Sequence, residues 1–531
     1  MLTRLFAMPE NRLDPENGPE KRSTSRRALA AGAGAVAVCA AVSLLRTSGT
    51  GPFQSVFEED ARDVLTDALD TSTAKALIEP IAGYYVLAPR LLGEFATLFP
   101  VSWMAAVLSV SSAVICGLLA VLVYVASGAH LPHRSARLLV SAPMLLAPVA
   151  ENHAAELYNR PVCLHFFALY ALFWVLVWPA ATRPSRAAAL VTAGLTAAST
   201  ILAVGLVPLA LLRLAVRRDR HSLAMAALLT AGAAVQVTSA LTADSRGRPG
   251  EARVDPLWAL SRFVGWAVPE SILGFRGTSG LYVPDAQFAS ALSRNALAVA
   301  AAWAVVLLVI AVAALGARRG LLRPRWVLAG ALAAHSAGLL MLEIMANGWV
   351  SQRYLLAPSL LLFAALVVLL LPEPGTANRG LIPLGGLALL LLVTGAANFR
   401  QTDTHRHDAP RWTEQVREAA VRCGQDRGLA AVAVRGGPSR YPSWVIVPCH
   451  ELVGGAVRCA EPTCVRLPSG TRSEKARSEK APDGGLPPTG MRGNHDPSAP
   501  VSVPNGERRG GRLSGEGPGH ERAVPRVAGS G

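Results

Sequence analysis

The sequence predicts an all-α polytopic membrane protein of about eleven transmembrane helices, with a small external α/β module and a disordered C-terminal tail. Three observations predict it. Hydrophobic residues make up 51% of the 531 residues against 16% charged, with a mean hydropathy of +0.35, a balance foreign to soluble multidomain chains. Apolar runs recur at about the 20 residues that a helix needs to cross a hydrocarbon core of roughly 30 Å. The basic residues behind the net charge of +15 collect between those runs and in the tail, so the excess implies membrane sidedness and no nucleic-acid partner.

Residues 1–26 form a basic segment with Lys21, Arg22, Arg26 and Arg27 before the first apolar run, Arg27 to Leu45. Ser25-Arg26-Arg27 before that run and Cys39 within it suggest an export signal or a lipobox. Val38 before the cysteine and the absence of a small-x-small cleavage site favour an uncleaved anchor. The membrane domain, 27–397, continues with Val101 to Ala126, Val162 to Trp178, Ser222 to Ala243, Phe288 to Ala317, Trp326 to Met345, Leu355 to Leu371 and Leu381 to Ala397. Clusters at Arg134 and Arg137, Arg183 and Arg186, Arg213 to Arg220, and Arg318 to Arg325 mark cytoplasmic loops. Consistent sidedness then requires one crossing at Leu138 to Ala150 and a hairpin, broken near Gly205, over Ala187 to Leu212. The total is eleven, in a plasma membrane, with the N-terminus cytoplasmic and the C-terminus outside.

The first external loop, 46–100, carries eight acidic and four basic residues, reversing the sign of the whole chain. Phe57, Ala61, Val64, Leu65, Ala68 and Leu69 recur at helical spacing, with Asp60, Asp63, Asp67 and Asp70 on the other face, which reads as an amphipathic helix resting on the outer leaflet. Glu58-Glu59-Asp60 heads it. Clustered carboxylates at a membrane surface suit two tasks: holding a divalent cation against a phosphate, and, where one has a raised pKa, taking a proton from a hydroxyl. A solvated acidic face is the plain alternative. Tyr84, Tyr85 and Arg90 fall in the half-apolar stretch that ends in Phe99-Pro100, where Arg suits a lipid phosphate and Tyr a sugar ring.

These features resemble the GT-C superfamily of integral membrane glycosyltransferases: an acidic cluster in the first external loop, a following segment ending in Phe-Pro, spans of uneven length, and a soluble C-terminal extension. The resemblance covers roughly residues 28–450 and is one of layout and short degenerate motifs. It implies a polyprenyl-phosphate sugar as donor, membrane lipid as surroundings, Glu58, Glu59 or Asp60 as catalytic base, and Arg90 as a donor-phosphate contact. Glu151-Asn152-His153 with Glu156, Tyr158 and Asn159 looks similar to a polar loop of bacterial members, which brings in Asn152, His153 and Asn159. Gln352-Arg353-Tyr354 is similar to an Arg-Tyr pair before a late span, which brings in Arg353 and Tyr354. An Asp-x-Asp is lacking, and Pro161-Val162-Cys163 stands where an aromatic is more typical. A transporter or lipid-linked-sugar translocase, or a non-catalytic scaffold, are the alternatives; no internal repeat supports the first.

No metal site is expected: His153 and Glu156 lie one helical turn apart and lack a third ligand. His165, His335 and Glu343 are polar groups within or near spans, Glu343 being suited to neutralise Arg353. The second external loop, 244–287, brings Trp258, Phe263, Trp266, Phe275 and Tyr282, suited equally to a lid, an acceptor groove or a membrane-resting loop. Residues 398–465 form an external module: a helix starting at Asp408 before Pro410, strands at Leu429 to Val434 and Trp444 to Val447, and a disulfide between Cys423 and Cys449. From 466 to 531 there is no aromatic residue, and Arg-Ser-Glu-Lys-Ala is duplicated at 472–476 and 477–481, so no core can form.

Overall fold

The structure, a computed structural model, describes residues 5–6, 21–149, 157–242, 252–278, 280–281, 287–400, 406–438 and 443–453. They fall in one compact unit, Met1–Arg458. The expected tail, with Cys459 and Cys464, lies outside the described residues.

The chain is mostly helical. Helix α1 (Lys21–Arg46) leads into a π-helical turn, Asp60–Leu65, that continues as α2 (Thr66–Asp70), followed by α3 (Thr73–Ile78) and α4 (Leu87–Ala96). The membrane domain resumes with α5 (Met104–Ser127), α6 (Arg134–Ser141), α7 (Pro143–Leu146), α8 (Leu164–Val177), α9 (Arg183–Ala197), α10 (Val207–Arg217) and α11 (Arg220–Thr242). Three short helices, α12 (Pro256–Arg262), α13 (Val268–Thr278) and α14 (Phe288–Arg294), precede α15 (Ala296–Arg318), α16 (Trp326–Asn347), α17 (Leu356–Leu369) and α18 (Ile382–Ala397). The chain closes with α19 (Trp412–Gln425), an antiparallel pair β1 (Ala431–Arg435) and β2 (Trp444–Pro448), and α20 (Cys449–Val453).

Among the described residues seven helices are long and apolar enough to cross a membrane, fewer than the eleven read from the sequence. The four others are short. Val162 to Trp178 contracts to α8, because Pro161 and Cys163 hold turns before it. Leu138 to Ala150 is the α6–α7 pair, with Pro143 at the first position of α7. The 187–212 run breaks at Ala198–Thr200, where the Thr200 hydroxyl caps a 3-10 turn, Ile201–Leu206. Gly205 is inside that turn, its missing side chain admitting Leu339, to whose Cδ2 a Cβ would come within 2.9 Å.

Helices α8 and α17 are buried on every side and form the centre. Helix α1 packs along α5, where a Cβ on Gly117 would press within 2.9 Å of the Val36 carbonyl. The bundle has two distinct ends. At one, Arg46 donates to the carbonyls of Leu145 (2.9 Å) and Ala147 (3.2 Å), Leu87 N–H bonds Ala198 O (3.2 Å), Arg253 N–H bonds Met345 O (2.8 Å), and Arg400 reaches Leu45 O (2.8 Å). At the other, His130 meets Val177 O (3.1 Å), Arg213 donates to Trp178 O (2.8 Å), and Arg217 donates to Phe6 O (3.3 Å).

The segment over α12 and α13 is sunk into the bundle only in part, with Val254, Leu257 and Leu260 exposed. Its residues 265–272 are buried against α15 and α17, with the Trp266 indole donating to Glu270 (2.9 Å). Tyr282 lies outside the described residues.

The C-terminal module does not stand alone. Trp412, Val416, Ala419, Cys423, Val434, Val445 and Val447 share one apolar core with Val56, Ala61, Leu65, Ala96 and Val101 of the first loop. That core also redirects the expected membrane-resting helix: the apolar face of 57–69 is covered by the module and α4. Helix α19 starts at Trp412, four residues beyond Asp408, because the Trp412 N–H is held by Gln54 O (2.8 Å) and its indole by Val101 O (2.8 Å).

Candidate functional site

The first loop turns back on itself at Glu58, whose φ of 47° is left-handed, a conformation that costs a side-chain-bearing residue roughly 1–2 kcal/mol. Its carbonyl then accepts from Ala61 N–H (3.0 Å) and Arg62 N–H (2.8 Å), which starts the π-helical turn. The turn sends Glu58, Glu59 and Asp60 toward the N-terminal ends of α8 and α17.

Two arginines meet them there. Arg160, just before α8, has a fully buried guanidinium: Nη2 lies 2.8 Å from Glu59, Nε 2.9 Å from Asp60 and Nη1 3.7 Å from Glu58. The second Asp60 oxygen accepts the Val162 N–H (3.1 Å), so Asp60 is satisfied on both sides. Arg353, in the 3-10 turn Gln352–Leu355 before α17, stands 3.5 Å from Glu59 and 4.0 Å from Glu58. A buried charge survives only when paired. Asp60 and Glu59 meet that requirement at short range, and Glu58 does so only at long range.

The electrostatics differ accordingly. Burial raises the Glu58 carboxyl to about 7; Arg160 pulls the other way, and the neighbouring Glu59 adds to the rise. Burial would raise Glu59 too, but Arg353 and Arg160 outweigh it and hold that carboxylate at about 2. The result is one anchored anion beside one carboxyl that exchanges its proton near neutral pH, the separation a general acid–base pair requires. Burial pushes the Tyr84 phenol up to about 12, with Arg353 opposing and Glu59 reinforcing, so the phenol is a neutral donor facing the same cluster.

Two other expected contacts are already occupied. Arg90 is not at the triplet: its buried guanidinium is spent on Asp67 (2.7 Å), on the Asp63 carbonyl and on the Glu79 carbonyl (3.1 Å), cross-linking α4 to α2. The expected phosphate contact at Arg90 is thus placed away from the triplet, against the first loop's own groups. Asn159 (φ 61°) is likewise consumed, donating to Ser43 O (2.8 Å) and Thr47 Oγ1 (2.6 Å) and accepting from the Ser43 hydroxyl (2.8 Å), so it latches the end of α1. Tyr354 packs against Phe166 and Trp349, with ring centroids 6.4 and 6.1 Å away. Tyr85 is held through its backbone by the Gln236 amide, at 2.9 and 3.0 Å, and borders an open groove of about 460 Å³ with Pro80, Val235, Thr238 and Thr242. No acidic or basic side chain lines that groove. Asn152, His153 and Glu156 lie outside the described residues. Arg353 has Glu59 and Glu58 as its ion-pair partners within 4.0 Å, and Glu343 stands within its electrostatic reach.

The sequence reading missed Arg160. Its signal was a lone arginine in an otherwise uncharged stretch, Asn159-Arg160-Pro161, directly before a span. Among the described residues no group of three His, Cys, Asp or Glu side chains is arranged to hold a metal ion, and the three carboxylates are occupied by guanidinium groups. Cys423 and Cys449 are joined in a disulfide, while Cys39, Cys116 and Cys163 are in none. No protein-family model, curated protein or solved structure matches the chain.

Proposed function

We propose that the protein is an integral membrane glycosyltransferase, similar in layout to the GT-C superfamily, that moves a sugar from a polyprenyl-phosphate donor to an acceptor hydroxyl outside the plasma membrane. One observation carries the reading: a carboxyl that titrates near neutral pH stands between two guanidinium groups at one end of a polytopic bundle. Glu58 is the base. It takes the acceptor's hydroxyl proton as that oxygen bonds to the anomeric carbon, while the bond from that carbon to the phosphate oxygen breaks and its electron pair leaves with the polyprenyl phosphate. Arg353, more open than Arg160 with 17% of its side chain exposed against 1%, is the group that meets the developing phosphate charge. Glu59 and Asp60 keep the arginines in place. A divalent cation would have to displace a guanidinium from the triplet, and no step is routed through one.

Sidedness belongs to the same proposal. With the four short helical passages α6–α7, α8, α9 and α10 counted as crossings, the chain alternates between the two ends of the bundle eleven times. Phe6, Val177 and Trp178 then share the cytoplasmic end, and Arg46, Ala198 and Asn398 the outer end.

The test is sugar transfer by the full chain in proteoliposomes, with a panel of polyprenyl-phosphate sugars as donors. Glu58→Gln is expected to lower turnover by roughly 10²–10⁴-fold with donor binding retained, while Asp70→Asn, on the exposed side of α2, leaves it unchanged. Full transfer by Glu58→Gln removes the base; absence of transfer by the native chain with every donor favours the translocase or scaffold alternatives.

A further inference from the structure

The carboxylate triplet is only three residues long, and the C-terminal module grips the chain on both sides of it. On the N-terminal side, Gln54 O accepts the Trp412 N–H (2.8 Å), and Gln54 Oε1 accepts both the Thr413 N–H (3.2 Å) and its hydroxyl (2.9 Å). Two residues before Glu58, the Val56 carbonyl lies so close to Gly436 that a Cβ there would collide with it. On the C-terminal side, Ala61 and Leu65 are sealed into the module's core, and the free edge of β2 is tied to the first loop, with Ile446 N–H donating to Thr66 Oγ1 (3.1 Å). The same Trp412 anchors the module to the start of α5 through Val101 O. The Cys423–Cys449 disulfide closes the module by fixing α19 to the first residue of α20, directly after β2.

A left-handed glutamate does not persist by its own preference; it persists where the structure around it leaves no alternative. The bundle supplies only one wall of that enclosure, through Arg160 and Arg353. We propose that the module is a clamp that sets the position of the Glu58 carboxyl, with Gly436, Trp412 and Thr66 as positioning residues acting through the backbone at 54–56 and 61–66. The assignment of Glu58 as base rests on the glycosyltransferase reading; the clamp itself does not. Glu59 and Asp60 on its own turn, Arg62 one turn on, Arg160 before α8 and Arg353 before α17 are the charged groups that face Glu58. Displacing the carboxyl from between them into water would bring its titration back toward that of an ordinary glutamate.

The experiment reads that displacement without using catalysis. A carbodiimide modifies the protonated carboxyl, so labelling of Glu58 in the purified full chain, followed by peptide mass spectrometry from pH 4 to 9, gives its midpoint. Gly436→Ala is expected to lower the midpoint by at least about one pH unit toward the ordinary value of 4.5. Thr66→Val, a milder change that removes the acceptor for Ile446 N–H, should lower it in the same direction. Where Gly436→Ala does not fold, Thr66→Val decides. An unchanged midpoint in variants that keep the disulfide and elute as the native protein overturns the clamp. In the transfer assay the clamp predicts that Thr66→Val lowers kcat and moves its pH profile without changing the donor KM, which a general loss of stability would not do. If Glu58→Gln keeps full transfer but the midpoint still responds to Gly436→Ala, the assignment of Glu58 as base falls and the clamp stands; if the native chain transfers from no donor while the midpoint responds, the glycosyltransferase reading falls and the clamp stands. If Glu58→Gln abolishes transfer and the midpoint ignores Gly436→Ala, the clamp falls and the base stands.

Discussion

Replacing Arg160 by Met is the sharpest perturbation of the site, because it removes the positive charge and keeps the packing length. Arg160 has 1% of its side chain exposed and holds Glu59 at 2.8 Å and Asp60 at 2.9 Å. Glu59 retains Arg353 at 3.5 Å, so the loss falls on Asp60, 3% exposed and left with the Val162 N–H alone. Stranding a buried carboxylate in this way costs about 3–5 kcal/mol, equivalent to roughly 10²–10³·⁵ in a local opening equilibrium. The assay is hydrogen exchange of the amides from Phe57 to Thr66, which reports opening of this segment apart from the rest of the bundle. Exchange in Arg160→Met should accelerate by that factor. Adding Asp60→Asn, which removes the stranded charge and still accepts the Val162 N–H, should recover at least about 1 kcal/mol. Exchange within about threefold of the native rate in the single variant, or strictly additive effects in the double variant, would refute the account of a buried, mutually dependent ion cluster.

Further outcomes are expected. Transfer should rise about tenfold per pH unit below pH 7 and level off above it, since Glu58, raised to about 7, must be ionised to accept a proton; a flat profile from pH 5 to 8 counts against it. Protection of the 57–66 amides should peak near pH 4 to 5. Glu58 binds its proton more tightly folded than at its ordinary 4.5, so its contribution fades as pH rises through 7, whereas Glu59, held at about 2, contributes above 4.5 and is lost as pH falls toward 2. Arg90→Met should open the α2–α4 region to protease while leaving the donor KM unchanged, the reverse of what a phosphate contact would give. A cysteine at Asp70 should react with impermeant reagent from outside the cell, and one at Arg319 only after permeabilisation; the opposite pattern inverts the proposed orientation.

The sequence exposed what depends on period and composition. The long runs at α5, α11, α15 and α16 are plain because each needs only length and hydropathy, and the acidic triplet is plain because it reverses the local charge. What depends on tertiary contact was hidden. Nothing in residues 187–212 announced that Thr200, rather than Gly205, breaks the run, since the cap is a hydrogen bond to Leu202 N–H and the glycine is there to admit Leu339. Arg90 and Arg160 carry the same charge in similar segments that precede a span. Only the fold sends Arg160 to Glu58, Glu59 and Asp60, a hundred residues away, and turns Arg90 back onto Asp67, 23 residues before it. The module's dependence on the first loop was equally invisible, because the apolar faces of α19 and β2 look the same whether they meet each other or a distant partner.

Helix α8 has 14 residues and so a length of about 21 Å, shorter than a hydrocarbon core of roughly 30 Å. If its Trp178 end sits at the cytoplasmic interface, its other end stops some ~9 Å beneath the opposite one. Arg160 stands at that sunken end, and the three carboxylates descend to meet it. The chemistry would then take place at the bottom of a dip in the protein's outer face, on the lipid-tail side of the headgroup phosphates rather than in the water where a dissolved nucleotide sugar would arrive. An amphiphile anchored by its tail reaches that depth by diffusing sideways, while a soluble donor would first have to enter from above, past the module.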